Sequence, residues 1–532
     1  MDNADIGFLV LGLAMLTGLL SKKVSLPAPL VFAGVGIAAG AAWHLLPIPA
    51  FSMPPGLVLF VFLPPLLTAA AYSLPWESFR RNLLPIGLLA FGLVIATMAI
   101  AAAVGHFAAS LPWMVAILLG AIIAPPDPVA ATTVANKIGL SHRLVVILEG
   151  EGLVNDAVAI VAYGFALEAI GGGQFDLTHA ATVLLREVPI GIGVGWAVSR
   201  SAGFIRSRSD SVPLEIGISL VTPYFAYHLT DQIGGSAVLA VVTLGLLLRR
   251  SAMDVSSPVA RLAARTVWSF LRYASTALVF LLLGLLMGEV VVALPSNELL
   301  FAGLILAAAI AATRMVWMLT VPRIVHLLKL TSEEVPTTGE QMVLGWAGMR
   351  GVVSLALALA LPLDLGGDAA FRTAIILLTL IVIVVTLILQ GSTLLPIAKW
   401  LAVGDPMRDE REEAEARKLA RSAGIDAAKS VLSAALPKDS QSSQSSPVGS
   451  LLHLLEHGDV GIAHAGESNR SAMSRSATQA ALDAQRSVVD ALRGEGKLSA
   501  ALVERLDTEL DLDSIGVQAE GAKLTDGGDP DR

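Results

Sequence analysis

The chain has 532 residues, 55% of them hydrophobic and 15% charged, and a mean hydropathy of +0.71. A soluble domain carries about 25% charged residues, so the composition excludes an ordinary soluble fold. The absence of cysteine excludes disulfides and thiol-based metal or redox chemistry, and the net charge of −8 collects after Leu401, with no basic, aromatic-laced stretch suited to nucleic acid.

Apolar runs recur from Ile6 to Leu401, and a membrane helix needs roughly 20 such residues. In chain order they fall at 6–20, 28–46, 56–73, 83–108, 113–136, 144–170, 180–203, 212–229, 236–250, 267–290, 298–321, 341–362 and 371–400. They predict an all-α membrane protein with about thirteen transmembrane helices. The first residues, MDNADIGFLV, are acidic where a secretory signal is basic, so the first run is expected to be a retained span. The loops carry an independent signal, because Lys and Arg concentrate on the cytoplasmic side. Alternate loops, starting with the first, hold Lys22 and Lys23; Arg80 and Arg81; Lys137 and Arg143; Arg200, Arg206 and Arg208; Arg249, Arg250, Arg261 and Arg265; Arg323 and Lys329. The other loops hold Asp176, Asp231, Glu298, Asp364 and Asp368. This alternation predicts a multi-pass plasma (inner) membrane protein with its N-terminus outside and its C-terminus in the cytoplasm.

Residues 1–402 therefore read as a transmembrane domain and 403–532 as a cytoplasmic tail. In the tail, DPMRDEREEAEARKLARS reads as a charged helix and KDSQSSQSSP as a flexible linker. Leu492, Leu498, Leu502, Leu506 and Leu510 then recur at helical spacing, and from Gly516 onward the composition predicts disorder.

An ionisable residue at the centre of a span costs about 2.5–3.5 kcal/mol, so those present need a reason. The fifth run, WMVAILLGAIIAPPDPVAATTVANK, carries Asp127 among Pro125, Pro126 and Pro128. Such a cluster of prolines breaks the helix. A broken helix in a membrane must lie inside protein or beside water, where its free carbonyls and half-helix ends suit ions. The bland reading, a proline kink with an incidental acid, leaves a doubly unfavourable Asp without a purpose. The sixth run, RLVVILEGEGLVNDAVAIVAYGFALEAI, carries Glu149, Glu151, Asn155 and Asp156. Glu151 and Asn155 share a helix face and Asp156 lies one step round. Glu149 falls near the cytoplasmic end, where an interfacial role suffices. Carboxylates deep in an apolar helix require a cation, a proton or a basic partner. Arg314 in the eleventh run and Arg350 in the twelfth are candidate partners, each with several apolar residues on both sides. Pairing Glu151 with either would leave Asp127 and Asp156 free to bind and release charge. His44, His106, His228 and His326 lie near span ends and read as interfacial; Thr132 and Thr133 read as bonded to their own backbone. No nucleophile–base set or metal-ligand cluster has enzymatic spacing, so neither catalysis nor a cofactor is expected.

The segments APPDPVAA, EGEGLVNDA and GWAGMRGVVSLALALALP, in that order, resemble the bacterial sodium/proton exchangers of the monovalent cation:proton antiporter-1 family. FLPPLLTAAAYSLPWESFRRNLLPI resembles the third span and following loop of that family, and LRGEGKLSAALVERLDTELDLDSI resembles the tail of its bacterial members, so the resemblance covers nearly the whole chain. It implies inverted six-helix repeats with broken crossing helices, a homodimer, and elevator-like movement of a six-helix core against a dimerisation domain. It implies electroneutral exchange of Na+ for protons, with K+ or Li+ as other cations, controlling cytoplasmic pH and cation content. Residue by residue, it implies Asp156 as the ion- and proton-binding carboxylate and Asn155 as its partner in an Asn-Asp pair of the electroneutral kind. It further implies Asp127 as the aspartate at the crossover, Glu151 with Arg314 as a core ion pair, and Arg350 as the alternative arginine. Asp156 and Asp127 are thus the implied ligands of the transported alkali cation, with the Pro126 carbonyl beside them.

The chain departs from the family at three places: Gly152 where Ser is common, Pro126 where Thr is common, and Thr68, Ala69 and Ala70 where the third span commonly has an acid. Fewer protein oxygens bear on the choice between Na+ and K+. A K+/proton antiporter on the same fold is therefore the nearest rival reading; a cation channel and a membrane sensor are rivals of other classes.

Overall fold

The computed structural model describes residues 3–21, 23–24, 28–44, 55–74, 76–171, 177–209, 211–255, 257–293, 297–331, 335–362, 365, 369–405, 407–435, 468–494, 497–498 and 500–526. The Ser-rich linker and the loop residues Lys22, Asp176, Asp364 and Asp368 lie outside the described residues. Among the described residues every regular element is helical. In chain order these are α1 Asn3–Ser21, α2 Ala28–His44, α3 Pro55–Ser73, α4 Trp76–Arg81, α5 Leu83–Ala109, α6 Trp113–Ile123, α7 Pro128–Lys137 and α8 His142–Ile170. There follow α9 Leu177–Arg206, α10 Val212–Gln232, α11 Ala237–Val255, α12 Pro258–Ala293, α13 Asn297–Leu327, α14 Thr338–Trp346, α15 Val352–Leu359 and α16 Ala370–Trp400. The last three are α17 Arg408–Ala435, α18 Ser468–Gly494 and α19 Ala500–Asp526. Every apolar run read from the sequence falls on one of these helices or, for the fifth and twelfth runs, on the pairs α6/α7 and α14/α15. By length and composition, Leu83–Ala109, Leu185–Arg206, Asn297–Leu327 and Ala370–Trp400 are long and apolar enough to cross a membrane.

Exposure is inverted relative to a soluble protein. Phe107, Leu185 and Phe301 are 76%, 76% and 68% exposed, whereas Glu151, Arg314 and Arg350 are each 1% exposed. Apolar groups outside and charges inside suit a lipid solvent. The helix α6 is apolar on every face, and Ala116, Leu118, Leu119 and Ile122 along it are fully buried. A helix apolar all round belongs in the centre of a bundle, and α6 packs there against residues of α5, α8, α13, α15 and α16.

Contacts divide the chain into two units. The first comprises Met1–Ile205, Ile218–Arg250 and Val267–Asp405, and the second comprises Arg206–Gly217, Ser251–Thr266 and Pro406–Arg532. The second unit thus takes in two segments that the sequence reading gives to the transmembrane part. Its core joins Ala416 and Ala420 of α17, Leu482 and Val489 of α18, and Leu502, Leu506 and Leu510 of α19. Its helix α19 continues to Asp526, past Gly516, where composition alone predicts no order. Within this unit the carboxylate of Asp511 is 1% exposed and is engaged by Arg261, Arg265 and Arg486.

Candidate functional site

Two broken helices meet in the first unit. The first stops at Ile123 and restarts at Pro128; the second stops at Trp346 and restarts at Val352. Pro128 occupies the first position of α7, where proline's missing N–H costs nothing. Asp127 caps that helix: its Oδ1 accepts from Val129 N–H at 2.8 Å. The breaks touch directly, with Asp127 N–H donating to Met349 O at 2.7 Å. Gly351 lies against the Asp127 carboxyl, and a Cβ at Gly351 would overlap Asp127 Oδ2. No side chain other than glycine's fits this crossing.

The charges at the crossing follow the half-helix dipoles. Asp127 stands at the N-terminus of α7 and, through Gly351, at the N-terminus of α15. Arg350 stands at the opposite ends. Its Nε donates to Ile123 O, the last carbonyl of α6, at 2.6 Å, and its Nη1 donates to Gly348 O, just beyond α14, at 2.5 Å. Its backbone N–H donates to Thr386 Oγ1 at 3.1 Å. A carboxylate thus faces two positive helix ends and a guanidinium faces two negative ones. Arg350, which the sequence leaves open as a partner for Glu151, is occupied by carbonyls.

Glu151 is held by Arg314. The two make a bidentate pair, Nη1 to Oε1 at 2.5 Å and Nη2 to Oε2 at 2.8 Å, and Arg314 Nε also donates to Leu344 O at 3.2 Å. The planar guanidinium fork matches the carboxylate and leaves neither charge alone in the interior. Asn155, fully buried, donates through Nδ2 to Pro126 O at 3.3 Å and so ties the continuous helix α8 to the break. Asp156 makes no hydrogen bond to the described residues, and it shares a cavity with Asp127. Both aspartates line one cavity of about 270 Å³, together with Pro126.

The sequence places this arrangement. The family description "sodium/hydrogen exchanger, transmembrane" matches residues 10–400. The chain belongs to the sodium/hydrogen exchanger family. As a member, this exchanger is an integral membrane protein that crosses the bilayer more than once. It is 33% identical over 402 residues to the Na(+)/H(+) antiporter ApNhaP of Aphanothece halophytica, covering 74% of each chain. It is 31% identical over 420 residues to a sodium, potassium, lithium and rubidium/H(+) antiporter of Bacillus pumilus, covering 75% of this chain and 62% of that one. Its fold resembles that of the sodium proton antiporter MjNhaP1 from Methanocaldococcus jannaschii, with a TM-score of 0.58 at 21% identity, over 74% of this chain and 98% of that one.

One lining residue of the exchanger escapes sequence reasoning. Arg272 lies inside the run 267–290 and was the signal to notice; its Nη2 donates to Ala69 O at 2.8 Å, and it lines the cavity. Glu149 also lines the cavity and has one oxygen fully buried, so it is more than an interfacial acid. Thr132 and Thr133 do bond their own helix, at 2.9 Å to Pro128 O and 2.7 Å to Val129 O, yet both line the cavity. With their protons committed inward, their hydroxyl oxygens keep lone pairs for a guest. Gly152 faces Pro128, and a Cβ at 152 would overlap the proline ring. The packing of this break thus favours glycine at position 152.

Proposed function

We propose that this exchanger is a secondary active transporter that swaps one monovalent cation, Na+ in the first place, for one proton, and that Asp156 binds the two in turn. The observation that carries the reading is the sorting of the buried charges around one cavity. Glu151 is neutralised by Arg314, Arg350 is spent on helix-end carbonyls, and Asp127 caps α7 with its carboxyl against Gly351. Asp156 alone among these has no protein counter-charge or hydrogen bond among the described residues. Two carboxylates facing one cavity repel, and either a proton or a cation relieves the repulsion. Competition for Asp156 follows from that alternative. Asn155 cannot take up a second proton, so one charge moves each way and the exchange is electroneutral.

The architecture proposed with this function has about thirteen spans, the N-terminus outside and the C-terminus in the cytoplasm. An intact helix, a broken pair and a second intact helix occur twice in order, as α5, α6/α7, α8 and as α13, α14/α15, α16, which supports an inverted repeat. Assembly as a homodimer is part of the same reading and rests on the family resemblance.

K+ as the physiological cation is the second reading. It is favoured by the third span, where Ala69 receives a guanidinium instead of supplying an acid, and by the relative named for sodium, potassium, lithium and rubidium. The test is proton movement in acid-loaded proteoliposomes carrying a pH-sensitive dye. Addition of Na+ or Li+ should dissipate the pH gradient with saturation, and clamping the membrane voltage should not change the rate. Potassium acting at lower concentration than sodium would select the second reading. Single-channel current in place of saturable exchange would refute both, and a tail truncation that keeps exchange would argue against a sensor.

A further inference from the structure

The cavity contains one more oxygen that the fold leaves unused. Ser354 stands in the first turn of α15, three residues beyond Gly351. Its side chain is 1% exposed and lines the cavity with Asp156, and its Oγ has no hydrogen-bond partner among the described residues. Hydroxyls inside helices commonly return their proton to a carbonyl one turn back. Thr132, Thr133 and Thr386 all do so in this protein. Ser354 does not. A buried hydroxyl left unpaired is costly, so such a group calls for a partner that occupies the cavity.

Position along the helices sets Ser354 beside Asp156. Gly339 of α14 lies against Val403, and Gly404 lies against Ile138, so α14 starts at the end of the bundle where α7 finishes. Past the crossing, α15 therefore runs away from that end, and Ser354 sits about 4.5 Å beyond Gly351 at 1.5 Å per residue. On α8, Gly152 meets Pro128 and Asn155 meets Pro126 O, so Asp156 lies on the same far side of the crossing. Other neutral oxygens are fewer on this side of the crossing. Gly152 has no side-chain oxygen, the Pro126 carbonyl keeps one lone pair after accepting from Asn155, and the threonines of α7 line the cavity toward the opposite end.

We propose that Ser354 Oγ is a direct ligand of the transported cation at Asp156. A neutral hard oxygen with free lone pairs suits a hard alkali cation. The hydroxyl completes the shell beside the Asp156 carboxylate, and when Asp156 is protonated it returns to cavity water. This assignment rests on the exchange reading above and names one further oxygen of that site.

The test is Ser354→Ala in full-length protein reconstituted into proteoliposomes. The apparent KM for Na+ should rise about three- to tenfold while Vmax stays within about twofold, the size expected for one neutral hydrogen-bonding group. Ser354→Thr, which keeps the hydroxyl, should restore the KM. Thermal stabilisation of the purified protein by added Na+ reads binding without turnover, and its midpoint should move by the same factor in Ser354→Ala. An unchanged KM and an unchanged midpoint in Ser354→Ala overturn the assignment, as does a fall in Vmax at unchanged KM, which marks a packing role. Wild-type protein that moves no protons on addition of Na+, Li+ or K+ instead sinks the exchange reading, and the ligand role falls with it.

Discussion

Each buried charge around the cavity except that of Asp156 has a distinct physical partner. Arg314 and Glu151 answer each other, with both side chains 2% exposed. Removing one member leaves the other charge alone in a low-dielectric interior, at a cost of about 3–5 kcal/mol. Arg314→Ala should therefore lower yield and melting temperature sharply, whereas the double variant Glu151→Gln with Arg314→Gln should lose less. Normal stability with lost transport in Arg314→Ala would give the arginine a direct part in ion movement. At this scale much was legible: costly residues inside apolar runs drew attention to Asp127, Glu151, Asp156, Arg314 and Arg350. The residues alone left open which arginine meets Glu151, because the pairing depends on where two helices far apart in sequence cross; the family resemblance put Arg314 first. Ser354 was silent for a related reason, since only its missing hydrogen bond marks it.

Helix breaks set the geometry that single residues cannot. The prolines around Asp127 announce the first break, but nothing comparable marks the second; GWAGMRG yields there because Gly351 lies on Asp127 and Gly348 lies against Arg314. A π turn over Thr386–Gln390 places Thr386 where it accepts the Arg350 N–H, and the surrounding run TLIVIVVTLILQ gives no hint of it. The proline-packed break also constrains substitutions. Gly152→Ser would add a hydroxyl only by pushing Pro128 aside, and overpacking of this kind costs about 1–3 kcal/mol. The expected result is lower thermal stability and slower exchange. A lower KM for Na+ at unchanged stability would show that the break has room to adjust.

Over the whole molecule, composition was sufficient to foresee an all-helical membrane protein. The residues that join Ser251–Thr266 to the tail were not readable, because Arg261 and Asp511 are 250 positions apart. In the tail unit, burial pushes the Glu413 carboxyl up, but hydrogen bonds and charge from Arg417 and Arg505 outweigh it and hold the group below its ordinary 4.5. A depressed carboxylate adds stability that is complete above its unfolded value and is lost as pH falls through the lower folded value. Hydrogen-exchange protection around Arg417 in the intact protein should thus decline below pH 4.5. Glu413→Gln should show that loss already at neutral pH, by an amount worth about 1 kcal/mol or less for so exposed a pair. Equal protection in both proteins across that range would remove Glu413 from the tail's stability.

The sorting of charges implies that transport depends on one carboxylate, and Asp156→Asn tests this most directly. The amide keeps the shape of the side chain but can neither ionise nor exchange a proton. In acid-loaded proteoliposomes holding equal amounts of folded protein, wild type should dissipate the pH gradient on addition of Na+, Li+ or K+, and Asp156→Asn should leave it at the level of protein-free vesicles. Cation-driven proton movement retained in Asp156→Asn would contradict the account.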